Sequence, residues 1–360
     1  MSAVDEHVTN EGPPVAFTDL GVRADIVAAL DARGITEPFP VQAAAIPDGL
    51  AGRDLCAKAP TGSGKTIAFG VPLVARVRRA GPKRPKALVL APTRELAQQI
   101  EVELTPLAEA RDLRVLSVYG GVGYDKQKRT LRRGVDVLVA CPGRLRDLID
   151  QHCVRLDAVE VVVIDEADRM ADMGFLPEVC RILDDVPEDR QTMLFSATLD
   201  GDVAHLTENY QHDPVTHEVE GASVDPNDLE HRFLKMQANE RAAHTADIVE
   251  AEGHTMVFCR TRHGADKVAK LLNGVGVEAC ALHGGMSQRQ RDRALAEFKA
   301  WRLRALVCTD VAARGIHVDD VACVVQFDPP EDAKTYVHRA GRTARAGATG
   351  VVVKIGRAHV

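Results

Sequence analysis

The 360-residue sequence predicts an α/β protein of two tandem domains, each a parallel sheet covered by helices on both faces. Three observations lead there. Short β-branched apolar runs, each closed by a polar turn, recur in two series, at 87–195 and 255–353. One glycine-rich loop at 59–66 stands where a strand should hand over to a helix. A polar stretch with two prolines, 212–228, separates the series.

Residues 1–14 are polar and acidic and are expected to be disordered, with the first domain at 15–212. Val22, Ile26, Val27 and Leu30 recur at helical spacing, and a proline-punctuated turn at 34–42 leads into a second helix. Gln42 there is either a base reader, through the amide pair that matches adenine N6 and N7, or a surface or capping side chain. The loop Ala59-Pro60-Thr61-Gly62-Ser63-Gly64-Lys65-Thr66 has the parts of a phosphate cradle. Glycines let backbone N–H groups curl around phosphates, the Lys reaches the terminal ones, and the Thr hydroxyl suits Mg²⁺. Ala59 replaces the usual first glycine.

Strands are then expected at 87–91, 115–118, 135–140, 159–164 and 192–195. The carboxyl ends of such strands are where ligands bind, and the notable polar sequences fall there: 92–96, 141–144, 165–168 and 196–198. Asp165-Glu166 directly after an apolar strand suits a metal-holding acid beside a base that polarises water. A linker is expected at 213–228 and a second domain at 229–360, with strands at 255–259, 277–282, 305–308, 322–326 and 350–353 and no second phosphate loop.

No apolar stretch reaches the ~18 residues of a membrane span and no signal core opens the chain, so a cytoplasmic, non-membrane protein is expected. The eight cysteines are scattered without a CxxC pair and read as buried reduced thiols. The net charge of −7 is uneven: 25 Lys+Arg face 32 Asp+Glu in residues 1–212, against 20 and 20 in residues 213–360. Any polyanion site must therefore be a local groove.

Taken together, Phe17 with 34–42, 59–66, 92–96, Gly120-Gly121, 142–144, Asp165-Glu166-Ala167-Asp168, Ser196-Ala197-Thr198, 257–261, 309–315 and 338–345 resemble, in order and spacing, the motif set of DEAD-box ATP-dependent RNA helicases over residues 15–353. The resemblance implies two RecA-like domains of the P-loop NTPase type that close over ATP, Mg²⁺ and RNA. It implies that Phe17 stacks on adenine and Gln42 reads its edge, that Thr61, Gly62, Ser63, Gly64, Lys65 and Thr66 hold phosphate and metal, and that Asp310 and His317 lie on the nucleotide. Asp165 would hold Mg²⁺ through water, Glu166 would be the general base, and Arg342 and Arg345 would be arginine fingers, with Lys65 contributing to catalysis. Asp168, Ser196, Thr198 and His338 would couple hydrolysis to movement. RNA backbone would meet Pro92, Thr93, Arg94, Gly121, Gly143, Arg144, Thr261, Gln288, Arg291, Thr309 and Gly315, with little sequence preference.

The expected activity is RNA-stimulated ATP hydrolysis that separates short duplexes or remodels ribonucleoproteins, by a monomer of bacterial RhlE-like type. The alternatives are an ATP-gated RNA clamp or scaffold and a DNA translocase. Three departures stand out: Ile35 for an aromatic, Cys141 for Thr, and His317 for Asp, the last expected to weaken ATP binding. Ile355-Gly356-Arg357-Ala358-His359-Val360 do not read as a continuing apolar strand, and their codons can match a common sequencing adapter; residues 355–360 are expected to be non-native and the last strand cut short near Val353.

Overall fold

The computed structural model describes residues 15–60, 62–199, 201–219, 229–237, 239–313, 318, 321–343 and 349–357. The expected disordered segment 1–14 and most of the expected linker lie outside them. The chain divides into two compact units, one on each of two parallel sheets.

The first unit begins with α1 (Ala24–Asp31) and α2 (Pro40–Ala51), then alternates. Its elements are β1 (Leu55–Lys58), α3 (Lys65–Arg76), β2 (Ala87–Leu90), α4 (Arg94–Glu109), β3 (Val115–Val118), α5 (Tyr124–Arg133), β4 (Val137–Ala140), α6 (Pro142–Asp150), β5 (Val161–Asp165), α7 (Ala167–Asp172), α8 (Leu176–Asp184), β6 (Gln191–Ser196), α9 (Asp202–Tyr210) and β7 (Val215–Glu218). The strand order is β3-β4-β2-β5-β6-β1-β7, every pair parallel. β2, β4, β5 and β6 are buried along their whole length, as strands covered on both faces must be.

The second unit comprises β8 (Leu229–Met236), α10 (Arg241–Glu252), β9 (Thr255–Phe258), α11 (Arg262–Gly274), β10 (Ala279–Leu282), α12 (Gln288–Lys299), β11 (Ala305–Cys308), α13 (Asp310–Ala313), β12 (Cys323–Gln326), α14 (Ala333–Ala340) and β13 (Gly350–Arg357). Its parallel order is β10-β11-β9-β12-β13-β8. Two apolar clusters lie on its two faces, one around Val257, Val307 and Val325, the other around Met256, Leu306 and Val324.

Two expectations are corrected. The stretch from 213 on does not begin as a linker, because Val215–Glu218 pairs with β1 as the sheet edge. The last strand does not stop near Val353: β13 pairs with β8 through Arg357, and Ile355 is buried in the core.

The ends of the first sheet use acids differently. At the amino ends, buried Asp54 accepts from Thr192 N (2.6 Å) and His212 N (2.8 Å), and buried Asp136 accepts from Ala80 N (2.5 Å) and Arg114 N (2.7 Å). These carboxylates cap backbone donors and serve structure. The acids at the carboxyl ends stand elsewhere.

Candidate functional site

The carboxyl ends of β1, β5 and β6 are neighbours in the first sheet, and the loops that follow them converge. After β1, the chain turns through Gly62 and Gly64, both left-handed at φ 86°, and Gly64 caps α3. Only glycine serves at Gly64: a Cβ would lie 2.4 Å from Gln42 Nε2 and 2.7 Å from the Phe39 ring. Ser63 Oγ donates to Pro60 O at 2.8 Å, and Lys65, buried, folds its Nζ onto Ala59 O at 3.2 Å. The result is a loop around the amino end of a twelve-residue helix, with a Lys and the Thr66 hydroxyl at its rim. This backbone cradle and donor set fit a nucleotide polyphosphate with its divalent cation.

Gln42 is 2% exposed and joins two segments: its Oε1 accepts from Phe39 N (2.9 Å) and its Nε2 donates to Gly64 O (3.0 Å). Beside it Phe39 is 58% exposed. Phe17, expected to face a base, is 2% exposed and packed in the core. Hydrophobic burial claims the aromatic that precedes α1, whereas Phe39, between two prolines at a helix start, has no core to enter.

After β5, Asp165, Glu166 and Asp168 are all more than nine-tenths buried. Glu166 is non-glycine yet left-handed at φ 52°, a conformation costing about 1–2 kcal/mol. Its own N–H is held by Asp165 Oδ1 at 3.0 Å, and its carbonyl accepts from Arg169 N (3.0 Å) and Met170 N (3.1 Å) as α7 starts. Arg169 Nη1 also reaches Glu166 Oε2 at 2.5 Å, while Arg169 Nε and Nη2 are buried with no partner among the described residues. Sequence reasoning missed Arg169; its i,i+3 spacing from Glu166 was the signal. After β6, the fully buried Ser196 hydroxyl accepts from Asp168 N (3.2 Å) and Thr198 N (3.4 Å), and Ser196 O accepts from Ala59 N (2.9 Å). One serine thereby ties the acid loop, the Ser-Ala-Thr turn and the phosphate loop together.

The other carboxyl ends of this sheet carry Pro92, Thr93 and Arg94 after β2, Gly121 after β3, and Gly143 and Arg144 after β4. Gly121 is left-handed, and a Cβ there would strike the Arg94 guanidinium at 2.4 Å. Arg144 is buried and donates to Gln127 Oε1 at 2.8 Å, a partner sequence reasoning missed. Cys141 precedes α6 without capping it through its thiol.

In the second unit, Thr261 follows β9 and caps α11, accepting from Gly264 N at 3.0 Å. Gln288 and Arg291 lie on α12, and buried Thr309 follows β11. Arg339 grips Asp310 bidentately at 2.6 and 2.7 Å and donates to Asp328 O at 2.8 Å. Asp310, expected on the nucleotide, here anchors α14. Arg342 is buried just beyond that helix. Thr61, Gly315, His317 and Arg345 lie outside the described residues, as does the His338 side chain.

Burial raises the thiols of Cys259 and Cys323 to about 12, and raises Cys56, Cys280 and Cys308 as well. These cysteines are protonated and unreactive at neutral pH. Among the described residues no helix is long and apolar enough to cross a membrane.

Comparisons with known proteins match this arrangement. Residues 39–206 match the family model for the DEAD/DEAH box helicase, and residues 240–347 that for the helicase conserved C-terminal domain. The DEAD-box ATP-dependent RNA helicase CshA of Bacillus subtilis is 38% identical over 341 residues, 94% of this chain and 69% of its own length. The ATP-dependent RNA helicase DbpA of the same organism is 38% identical, covering 94% and 71%. The chloroplastic DEAD-box ATP-dependent RNA helicase 3A of Zea mays is 40% identical, and the chain spans 47% of its length. Among solved structures, S. cerevisiae Dbp5 bound to RNA and ADP BeF3 aligns with TM-score 0.83 at 27% identity, covering 96% of this chain and 90% of that one. A DEAD box protein from Methanococcus jannaschii aligns at 0.54 with 33% identity, covering 95% and 93%.

Proposed function

Because the chain belongs to the DEAD-box ATP-dependent RNA helicases, we propose that it hydrolyses ATP under stimulation by RNA and uses the cycle to separate short duplexes or remodel ribonucleoproteins. The observation that supports this best is the Ser196 junction, in which one serine joins the glycine-rich loop, the buried acid loop and the Ser-Ala-Thr turn at three adjacent strand ends. Lys65 and the α3 amino end neutralise the polyphosphate, and Phe39 with Gln42 takes the adenine. Thr66 and Asp165 would hold Mg²⁺, which when bound would offset phosphate charge. Glu166 accepts the proton of the attacking water, and Arg342 and Arg345 supply positive charge to the γ-phosphate.

RNA is held through its backbone by Pro92, Thr93, Arg94, Gly121, Gly143, Arg144, Thr261, Gln288, Arg291, Thr309 and Gly315. Asp168, Ser196, Thr198 and His338 transmit the hydrolytic state. His317 stands where an acid is usual, so His317→Asp lowers the KM for ATP; an unchanged KM would sink that assignment. The proposed setting is a cytoplasmic monomer of RhlE-like type in which residues 355–360 are non-native. Recovering the locus from uncut DNA tests both finer proposals: intact codons for residues 355–360 would overturn the second, and a full-length sequence grouping elsewhere the first.

The direct test is ATP hydrolysis with and without single-stranded RNA, beside Glu166→Gln. Strong stimulation that the substitution lowers by about 10²–10⁴-fold is expected. A folded chain that RNA does not stimulate would refute the reading.

A further inference from the structure

Helix α5, Tyr-Asp-Lys-Gln-Lys-Arg-Thr-Leu-Arg-Arg, concentrates five cations in an otherwise acid-rich half of the chain. Gln127 and Leu131 face inward, and Lys128 bonds Gln151 Oε1 at 2.6 Å. Lys126, Arg129, Arg132 and Arg133 are exposed, and among the described residues none of the four has an ion-pair partner. Some other exposed arginines of this unit are paired, Arg79 with Asp112, Arg84 with Asp157 and Arg155 with Asp157, whereas Arg76, Arg78 and Arg181 have no ion pair among the described residues. What sets α5 apart is that four such cations stand exposed on one ten-residue helix. Arg132 and Arg133 suit the helix carboxyl end, which accounts for a few tenths of a kcal/mol. Lys126/Arg129, Arg129/Arg132 and Arg129/Arg133, at i,i+3 and i,i+4, repel one another by about 0.2–0.5 kcal/mol per pair. Helix stability alone does not explain the stripe.

We propose that this face of α5 binds the phosphates of a helical RNA segment flanking the strand held by the RNA-contacting loops. The inference rests on the RNA-binding reading above. Two features tie it to that track. α5 starts three residues after Gly121, and its inward Gln127 holds Arg144, so the helix that orients one RNA-contacting arginine presents the others outward. The stripe from Lys126 to Arg133 is about 10 Å long, comparable with a few phosphates along one strand of a duplex at about 3.4 Å per charge. The outward face carries no aromatic or aliphatic anchor, only Asp125 beside the four cations. A protein partner would need a buried hot spot there, whereas a polyphosphate needs only charge.

The test is the full chain against the quadruple substitution Lys126→Gln, Arg129→Gln, Arg132→Gln and Arg133→Gln, which keeps helix propensity. Binding is measured across salt concentrations to a short single strand and to the same strand extended by a duplex. Expected is a loss of about 10–100-fold confined to the extended RNA, with its log K versus log salt slope shallower by about two to four. An Arg→Lys triple at 129, 132 and 133 should keep the slope. Equal losses on both RNAs, or none, would overturn the proposal. So would poly-glutamate competing as well as the duplex, which would assign the face to an acidic protein. An unsubstituted chain that binds neither RNA would instead bring down the underlying reading.

Discussion

Glu166 and Phe39 show how single positions acquire their roles from backbone and burial. Glu166 sits on a left-handed backbone, and its carboxylate is held by Arg169. Arg169→Met should therefore lower kcat about 10-fold or more with the KM for ATP unchanged, Arg169→Lys should recover part of it, and neither should matter once Glu166 is Gln. Additive losses in the double substitution would refute a positioning role. Phe39→Ala should raise the KM for ATP roughly 5- to 150-fold, the value of about 1–3 kcal/mol of base stacking, and leave melting unchanged. Phe17→Ala should do the reverse, costing about 3–5 kcal/mol of stability by cavity formation. The two are separated by calorimetry and steady-state kinetics.

Helices and strands set the next level. The α3 amino end works because Gly64 turns where no side chain fits, so Gly64→Ala should disrupt the Gln42 bond and abolish nucleotide binding measured by fluorescence of an ATP analogue. In the second unit, His254 precedes β9 and lies sandwiched between Phe298 and Trp301, ring centroids at 3.7 and 4.3 Å, with Nε2 on Phe298 O at 3.0 Å and Nδ1 buried without a partner among the described residues. Desolvation lowers its pKa. The neutral ring belongs to the fold, whereas the unfolded chain takes up a proton near pH 6.5, so this contribution is full above about pH 6.5 and is lost as pH falls toward the depressed value. The melting temperature should drop through that range, and His254→Phe should flatten the drop; an unchanged profile would exclude His254 as its source.

Each sheet of the molecule has its own core, and the acid excess lies in the first part of the sequence. Calorimetry should therefore resolve two transitions. A non-hydrolysable ATP analogue at about 100 times its Kd should stabilise the first-sheet unit by about 2.7 kcal/mol, and Lys65→Ala should remove the shift. One concerted transition would argue against independent cores.

Local pattern determined most of this protein. Continuous β-branched runs such as 161–164 are strands wherever two helical layers cover them, and the loops that follow are the site because parallel strands end there. Tertiary structure decided what pattern could not carry. β7 (Val-Thr-His-Glu) and β8 (Leu-Glu-His-Arg-Phe-Leu-Lys-Met) are half-exposed edges without an unbroken apolar run, so only pairing reveals them. Ile355 joins the core through the β8 register, despite a following glycine and arginine. Which phenylalanine is buried, and whether Asp310 faces a ligand or Arg339, depends on what packs across space; sequence spacing supplies the residue type, and only the packed neighbours supply its partner.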